Sequence, residues 1–442
     1  MRRRIYIRRE DYIEILDTLR EPERIALLLG ERRGGRWVVV EVLIPPGEAV
    51  ERSLAHVRVD GEWLAPKLLE ARMKGLDLVA VFHSHLASEE PSQGDLETHE
   101  KVVASYPDCL MGIYSLSRGR LRVYSLPGME YVKIRIVDLA RFDRQLRVLG
   151  VRGQMLLSSS TVALVGVGGA SILAEMLAAS GVGRLIIVDP DRWEYHNRNR
   201  VLVPRSHVGW SKVESLKSII EDYYPDVEVE AHEARVQDLP DSVFEDADVV
   251  VCGADSLLAR IHVNRLALRL RKPAVFISAG VEVGEGRVVM TGQVQVVQPY
   301  ATACYECLPV DVDELRREMM GEEDRRRLAE YLRSTGRLDE LEKLEGRVVP
   351  SFAFLNMVVA GLALHEVVKL LTGIGEPARG LLVYDPLANA LTVYELDRNP
   401  HCPACSDAEE VGVVESYELE TVGKEEVLGF KSVREPGGGV SG

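Results

Sequence analysis

Residues Val81–Asp95, VFHSHLASEEPSQGD, carry two histidines, a serine and an aspartate at a spacing that suits a metal centre. His83 and His85 alternate just past an apolar, strand-like run, so both rings project from one face and can chelate one ion. Asp95, ten residues after His85, adds an oxygen ligand of the right hardness for zinc. Three protein ligands leave a fourth position for water, and water needs a proton acceptor. Glu23, just before the apolar run Ile25–Leu29, is the best candidate, and Ser92 can donate to a developing oxyanion. The plainer reading is two surface histidines in a polar loop. His99 is expected on the solvated side of the following helix, the alternative being that it faces the same cleft.

A second chemical signal is VALVGVGGAS, Val162–Ser171: a strand, then Gly166, Gly168 and Gly169 opening a helix. Glycines let the backbone approach a phosphate, and the helix start supplies N–H donors. Ser171 stands where a dinucleotide fingerprint has its third glycine. Asp189 closes the next strand, where a carboxylate can accept from ribose hydroxyls. Alone, this loop also fits an ordinary strand–helix turn or a nicotinamide-dependent redox enzyme.

A third is the cysteine pattern. Four of the six cysteines form two C-x-x-C pairs, Cys304/Cys307 and Cys402/Cys405. Together they can give one zinc a closed, structural four-sulfur shell; a redox dithiol or buried free thiols are the alternatives. Cys109 and Cys252 lie in apolar surroundings and read as small buried hydrophobes.

The elements that must position these groups can be read from periodicity. In the first part, Asp11–Leu19 is expected helical. Ile25–Leu29, Trp37–Leu43, Leu78–Phe82, Leu110–Tyr114, Leu121–Tyr124 and Val132–Ile136 are expected as strands. From Val137 the pattern alternates strand and helix: Thr161–Val165, Leu173–Ser180, Arg184–Val188, Val213–Tyr223, Val227–Ala231, Asp248–Cys252 and Leu257–Leu270. Such alternation implies a parallel, doubly wound α/β sheet. Glu314–Arg347 is densely charged at helical spacing and reads as a solvated helix or helix pair. The acidic tail from Asp407 ends in EPGGGVSG and is expected to be a flexible linker rather than a substrate terminus.

The whole chain has 442 residues, a length that suggests about three domains. Its 46% hydrophobic and 28% charged residues are those of a folded protein. A net charge of −15 excludes a generalised basic footprint for nucleic acid and makes an anionic membrane a poor partner. The basic start MRRRIYIRRE lacks the apolar core of a secretory signal. The most apolar stretch, Phe352–Leu371, is interrupted by Asn356, His365, Glu366 and Lys369 and reads as a buried helix. A cytoplasmic protein is expected.

The order of motifs goes further. RFDRQ (141–145), VGVGGAS, LIIVDPDRWEYHNRNR (185–200), VGWSKVESL (208–216), VVCGADSLLAR (250–260), ACYECL (303–308), GLALHEVVKLLTG (361–373), LLVYDPL (381–387) and NPHCPAC (399–405) follow one another. Residues 137–406 thereby resemble the ThiF/MoeB/ubiquitin-activating family of adenylating enzymes. The resemblance implies a Rossmann-like domain using ATP and magnesium. Asp189 would hold the ribose, Asn197, Arg200 and Lys212 the triphosphate, and Asp255 the magnesium ion. Arg144 would reach the ATP site of a partner subunit, which implies a homodimer. The family's substrate is the C-terminal Gly-Gly carboxylate of a small ubiquitin-like or sulfur-carrier protein. Some members carry a nucleophilic cysteine in the crossover segment, but no cysteine lies between Cys307 and Cys402 here, so no covalent thioester is expected.

Residues 1–136 resemble the JAMM zinc isopeptidase family, which implies a mixed α/β, cytidine-deaminase-like domain. By that match Glu23 is the general base, His83, His85 and Asp95 bind zinc, and Ser92 stabilises the tetrahedral intermediate. Two departures stand out: the spacer from His85 to Ser92 has six residues instead of seven, and Leu86 replaces the usual proline. Residues 407–442 form the tail. The halves point to one substrate class, activated by one domain and processed or removed by the other. A first domain that only docks the partner is the alternative.

Overall fold

The computed structural model describes residues 3–53, 56–284, 287–311 and 350–406, with positions 315, 318, 319, 326, 328–330, 332 and 333 between the last two ranges. Most of the charged stretch 314–347, and the tail 407–442, lie outside the described residues.

Two eight-stranded sheets organise the chain. The first contains β1 (Arg4–Arg8), β2 (Ile25–Arg33), β3 (Arg36–Leu43), β6 (Asp77–His85), β7 (Leu110–Ser115), β8 (Arg120–Ser125), β9 (Glu130–Tyr131) and β10 (Lys133–Val137). Their order is β10-β1-β3-β2-β6-β7-β8-β9. A separate two-stranded ribbon pairs β4 (Val50–Ser53) with β5 (His56–Val59). Alternation along β2 divides the core. Ala26 and Leu28 face Ile15 and Leu19 of α1 (Arg9–Leu19), while Ile25, Leu27 and Leu29 face the opposite layer. That layer is built by α2 (Gly61–Met73) and α3 (Gln93–Ser105), with Ala71 and Val102 packed against it.

A helix, α4 (Asp143–Ser159), joins the sheets: its Met155 and Leu156 pack on Tyr6 and Val38 of the first. The second sheet runs β13-β12-β11-β14-β15-β16-β17-β18. Its parallel half is β11 (Thr161–Val165), β12 (Arg184–Val188), β13 (Glu228–His232), β14 (Val249–Cys252) and β15 (Ala274–Gly284). β16 (Arg287–Val297), β17 (Gly380–Asp385) and β18 (Ala390–Glu395) extend it antiparallel. The helices are α5 (Ser171–Ser180), α6 (Lys212–Tyr223), α7 (Leu257–Leu270) and α8 (Ala353–Thr372). Both faces of the central strands are covered, as their continuous apolar runs require. Val162 and Leu164 face the layer of α5, α6 and α8, and Ala163 and Val165 that of α7. Among the described residues α8 alone is long and apolar enough to cross a membrane. Its Leu355, Val359, Ala363, Val367 and Leu371 are buried in the core, each burial contributing roughly 1.5–3 kcal/mol for the larger side chains.

The sheets meet at their strand beginnings. Arg36, the first residue of β3, donates to both carboxylate oxygens of Asp248, just before β14, and to the Ser159 carbonyl, just before β11. Arg4, at the start of β1, pairs with Glu228 at 2.9 Å, at the start of β13. Arg33, at the tip of the β2–β3 hairpin, donates to the Leu371 carbonyl. Both candidate sites stand at the other ends of the strands.

Candidate active sites

His83 and His85 close β6, whose alternation sends both rings to one side. Ser84 points the other way: its buried hydroxyl donates to the Glu21 carbonyl at 2.8 Å and accepts the Arg24 amide at 3.0 Å. Asp95 sits in the first turn of α3. Its two oxygens lie 3.1 Å from His83 Nε2 and 3.1 Å from His85 Nε2, and the two ring nitrogens are 3.1 Å apart. Zinc bonds of about 2.0–2.1 Å in a tetrahedron space donor atoms by about 3.3 Å, so the triangle fits that ion. Burial pushes the Asp95 carboxyl up, but hydrogen bonds from His83, His85 and Ser92 outweigh it and hold the group well below the usual carboxylate range. Ionised oxygens are what a metal requires.

Ser92 is the N-cap of α3. Its hydroxyl donates to Asp95 Oδ2 at 2.6 Å and accepts the Asp95 amide at 3.2 Å, while its own amide donates to the same carboxylate. As placed, it orients Asp95. Glu23 precedes β2, whose Ile25 pairs with His83, and the Ser84 amide donates to the Arg24 carbonyl. Glu23 itself stands in the turn two residues before β2 begins. Its backbone is left-handed, φ +57°, which a residue with a Cβ adopts at a cost and which recurs at functional positions. His99 corrects the expectation of a solvated helix residue: it does not meet solvent. It is buried and bonded to the Cys109 carbonyl at 2.8 Å, because α3 turns it onto the sheet, and burial lowers its pKa.

At the far end of the second sheet, Gly166 ends β11 with φ +78°, and a Cβ there would lie 2.4 Å from the Ala254 nitrogen. Only glycine fits. Ser171, in place of a third glycine, donates to the Gly168 carbonyl at 2.9 Å and closes the loop with its side chain. Asp189 is buried at the end of β12. It accepts the Val167 amide at 2.9 Å and the Asp191 amide at 2.9 Å, which ties the glycine loop to the next strand. Burial raises its pKa, and Lys212 counters. The Lys212 ammonium is 2.7 Å from Asp191 and 3.5 Å from Asp189. It also lies 4.0 Å from where a Cβ on Gly168 would be. Asn197 is buried in the short turn Tyr195–Asn199, where its side-chain oxygen accepts the Glu194 amide at 2.8 Å. Asp255 is exposed just past β14. Arg144, in the first turn of α4, is 96% exposed, with Asp143 4.0 Å away.

One residue of this site stood out in the sequence only as a polar interruption of an apolar helix. Asn356 of α8, nearly buried, donates to the Arg200 carbonyl at 3.2 Å and lies 3.3 Å from where a Cβ on Gly169 would be. It anchors the triphosphate-side loop to the glycine turn from more than 150 residues away, beyond the reach of any local pattern.

The four cysteines meet between β16 and the chain beyond β18. Sγ separations are 3.5 Å for Cys304–Cys402, 3.7 Å for Cys304–Cys307 and 3.4 Å for Cys307–Cys405. A disulfide needs about 2.05 Å, whereas tetrahedral zinc thiolates about 2.3 Å long stand about 3.7 Å apart. The cluster thus fits zinc. The Asn264 amide donates to Cys304 Sγ at 3.5 Å and the Asn399 N–H to Cys307 Sγ at 3.4 Å, the outer contacts that thiolates take.

Comparison with known proteins agrees with this geometry. The model of the ThiF family matches residues 142–404, and that of prokaryotic homologs of the JAB domain matches residues 12–125. The chain is 28% identical over 324 residues to ubiquitin-like modifier-activating enzyme 5 of Caenorhabditis briggsae, covering 70% of this chain and 68% of that one. It is 29% identical over 288 residues to the adenylyltransferase and sulfurtransferase MOCS3 of Anopheles gambiae, covering 64% and 58%. It is 29% identical over 282 residues to the sulfur carrier protein adenylyltransferase of Thermus thermophilus, covering 61% and 92%. With more than half of its length matched, on a doubly wound sheet that ends in the glycine loop, the chain belongs to the ThiF family.

Proposed function

We propose that this protein uses ATP to adenylate the C-terminal carboxylate of a small ubiquitin-like or sulfur-carrier protein ending in Gly-Gly. A carboxylate oxygen attacks the α-phosphorus, an acyl–phosphate bond forms, and pyrophosphate leaves with the electron pair of the broken P–O bond. The observation that carries this is the buried Asp189, which grips the loop at Val167 while Lys212 stands over Gly168. Gly166, Gly168 and Gly169 admit the phosphates to backbone N–H groups, Asp189 holds the ribose, and Asn197, Arg200 and Lys212 hold the triphosphate. Asp255 would hold magnesium, which when bound neutralises phosphate charge. The activities in the names of the matched relatives support the same substrate class. Isotope exchange between ATP and pyrophosphate tests it. Exchange should need a protein ending in Gly-Gly; exchange that persists when the two glycines are removed would sink the proposal.

Arg144 supports a homodimer in which each subunit completes the other's site, since its guanidinium is 96% exposed and free to reach outward, with its chain neighbour Asp143 4.0 Å away. The product is the adenylate, with no thioester on this chain. Cys252 and Cys109 are buried, and burial pushes both thiols up, Cys109 to about 12.

A second activity rests on a specific convergence: the ligand atoms of His83, His85 and Asp95 lie close enough to share one ion, and Glu23 stands two residues before the strand that pairs with His83. We propose a JAMM-type zinc peptidase that cuts beyond or after the Gly-Gly of the same partner. When bound, zinc supplies Lewis acidity to the scissile carbonyl. Glu23 takes the proton of the attacking water, and Ser92 holds Asp95. Cleavage of a Gly-Gly fusion that is lost in Glu23→Gln supports it. Uncut fusion with intact binding would mark the first domain as a docking module.

A further inference from the structure

Between His85 and Ser92 the chain has only six residues, and the carbonyls of three of them, with that of His85, are fastened to the β7–β8 hairpin. The Leu116 amide donates to the His85 carbonyl at 2.9 Å and the Ser117 amide to that of Leu86 at 3.0 Å. The Ser115 and Ser117 hydroxyls donate to the Ala87 carbonyl at 3.1 and 3.2 Å, and the Tyr124 hydroxyl to the Glu89 carbonyl at 2.9 Å. At the centre is a charge where none is expected. The Glu89 side chain is 1% exposed, and its Oε1 takes Arg122 at 2.8 Å, Arg118 at 3.2 Å and Arg120 at 3.9 Å. Its Oε2 is buried without a hydrogen-bond partner.

Burying a carboxylate is costly, and an apolar residue of similar size holds a loop as well or better. Three guanidiniums converging on one oxygen do something a greasy contact does not: they fix direction as well as depth. The loop has no glycine to bend at, and each of its ends is a member of the metal triangle, His85 on one side and the Ser92–Asp95 cap on the other.

We propose that Glu89 is the positioning residue of this zinc site. Its carboxylate, held by Arg118, Arg120 and Arg122, sets the course of the shortened loop. It thereby fixes the separation of the histidine pair from Asp95. The inference rests on the zinc reading of His83, His85 and Asp95.

The test is zinc affinity, measured on the full chain by competition with a chromophoric chelator, at a temperature where circular dichroism shows each variant folded. The wild type should take up two zinc ions, one per ligand group, and His83→Ala only the tetrathiolate ion. Glu89→Ala should weaken the second ion roughly 10–100-fold, as outer residues that orient ligands do, and leave the first untouched. Glu89→Gln, which keeps an acceptor for Arg122, should recover part of the loss. Should Glu89→Ala not fold, Arg122→Met removes the nearest guanidinium from the surface and should weaken the second ion in the same sense. Two ions with unchanged affinity in the folded Glu89 or Arg122 variants overturn the positioning role alone. A wild type that binds one ion and ignores His83→Ala overturns the zinc reading and this proposal with it.

Discussion

The Lys212 ammonium lies 2.7 Å from the Asp191 carboxylate and 3.5 Å from that of Asp189, so the cation above the glycine loop is already held by two anions. A phosphate must compete with Asp191 for it. Lys212→Ala should lower kcat/KM for pyrophosphate exchange by about 100-fold or more, the scale of a lost preorganised donor. Asp191→Asn should change it by less than about 10-fold, because the competitor goes and the cation stays. Equal losses in the two variants would show that Lys212 acts through Asp191 and not on phosphate.

Exposure of Arg144 makes a mixing experiment decisive. Arg144→Ala and Lys212→Ala chains, each inactive alone, should regain roughly a quarter of wild-type exchange when co-refolded, because half the dimers are mixed and each has one complete site. No recovery, with mixed dimers demonstrated by mass spectrometry, would place Arg144 outside the partner's site.

The cysteine cluster joins the chain after β16 to the turn beyond β18, so its loss should be felt as stability. Cys402→Ser should release one zinc and lower Tm by about 5 °C or more, since binding energy at a structural site is folding energy. A disulfide instead of a metal would show as chelator-resistant stability that falls with reductant.

Glu175, on α5, has its pKa raised by burial from 4.5 to about 7. Between those pH values the folded chain holds a proton that the unfolded chain has released. Stability from this group is therefore highest at acid pH, falls as pH rises through that window, and is fully lost above it. Glu175→Gln should flatten that slope in urea unfolding. After allowance for partial exposure it should add about 1–2 kcal/mol near pH 8. A slope unchanged in the variant would refute the assignment.

Local pattern recovered much of this molecule. The apolar runs of 25–29, 162–165 and 185–188 became strands because both of their faces are buried. β1 was not expected: its RIYIR alternates apolar and polar residues over too short a run, flanked by arginines, and gains its place by pairing with β3 and β10. α2 escaped because Pro66 and a weakly amphipathic sequence conceal it. In the sites, His83, His85, Asp95 and the glycine loop are local in sequence and were legible. Asn356 and the Arg36–Asp248 bond are long-range, set by how helices and sheets meet, and nothing nearby in the sequence announces them.

The meeting of the two sheets at their strand beginnings constrains traffic between the sites. From Arg36 to the histidines the chain runs nearly the length of β6, nine residues or about 30 Å, and from Thr161 to Gly166 about another 16 Å in the other direction. A free tail of five residues spans at most about 17 Å. On the two proposed activities, a modifier trimmed at one pole would reach the other pole of the same chain only by letting go.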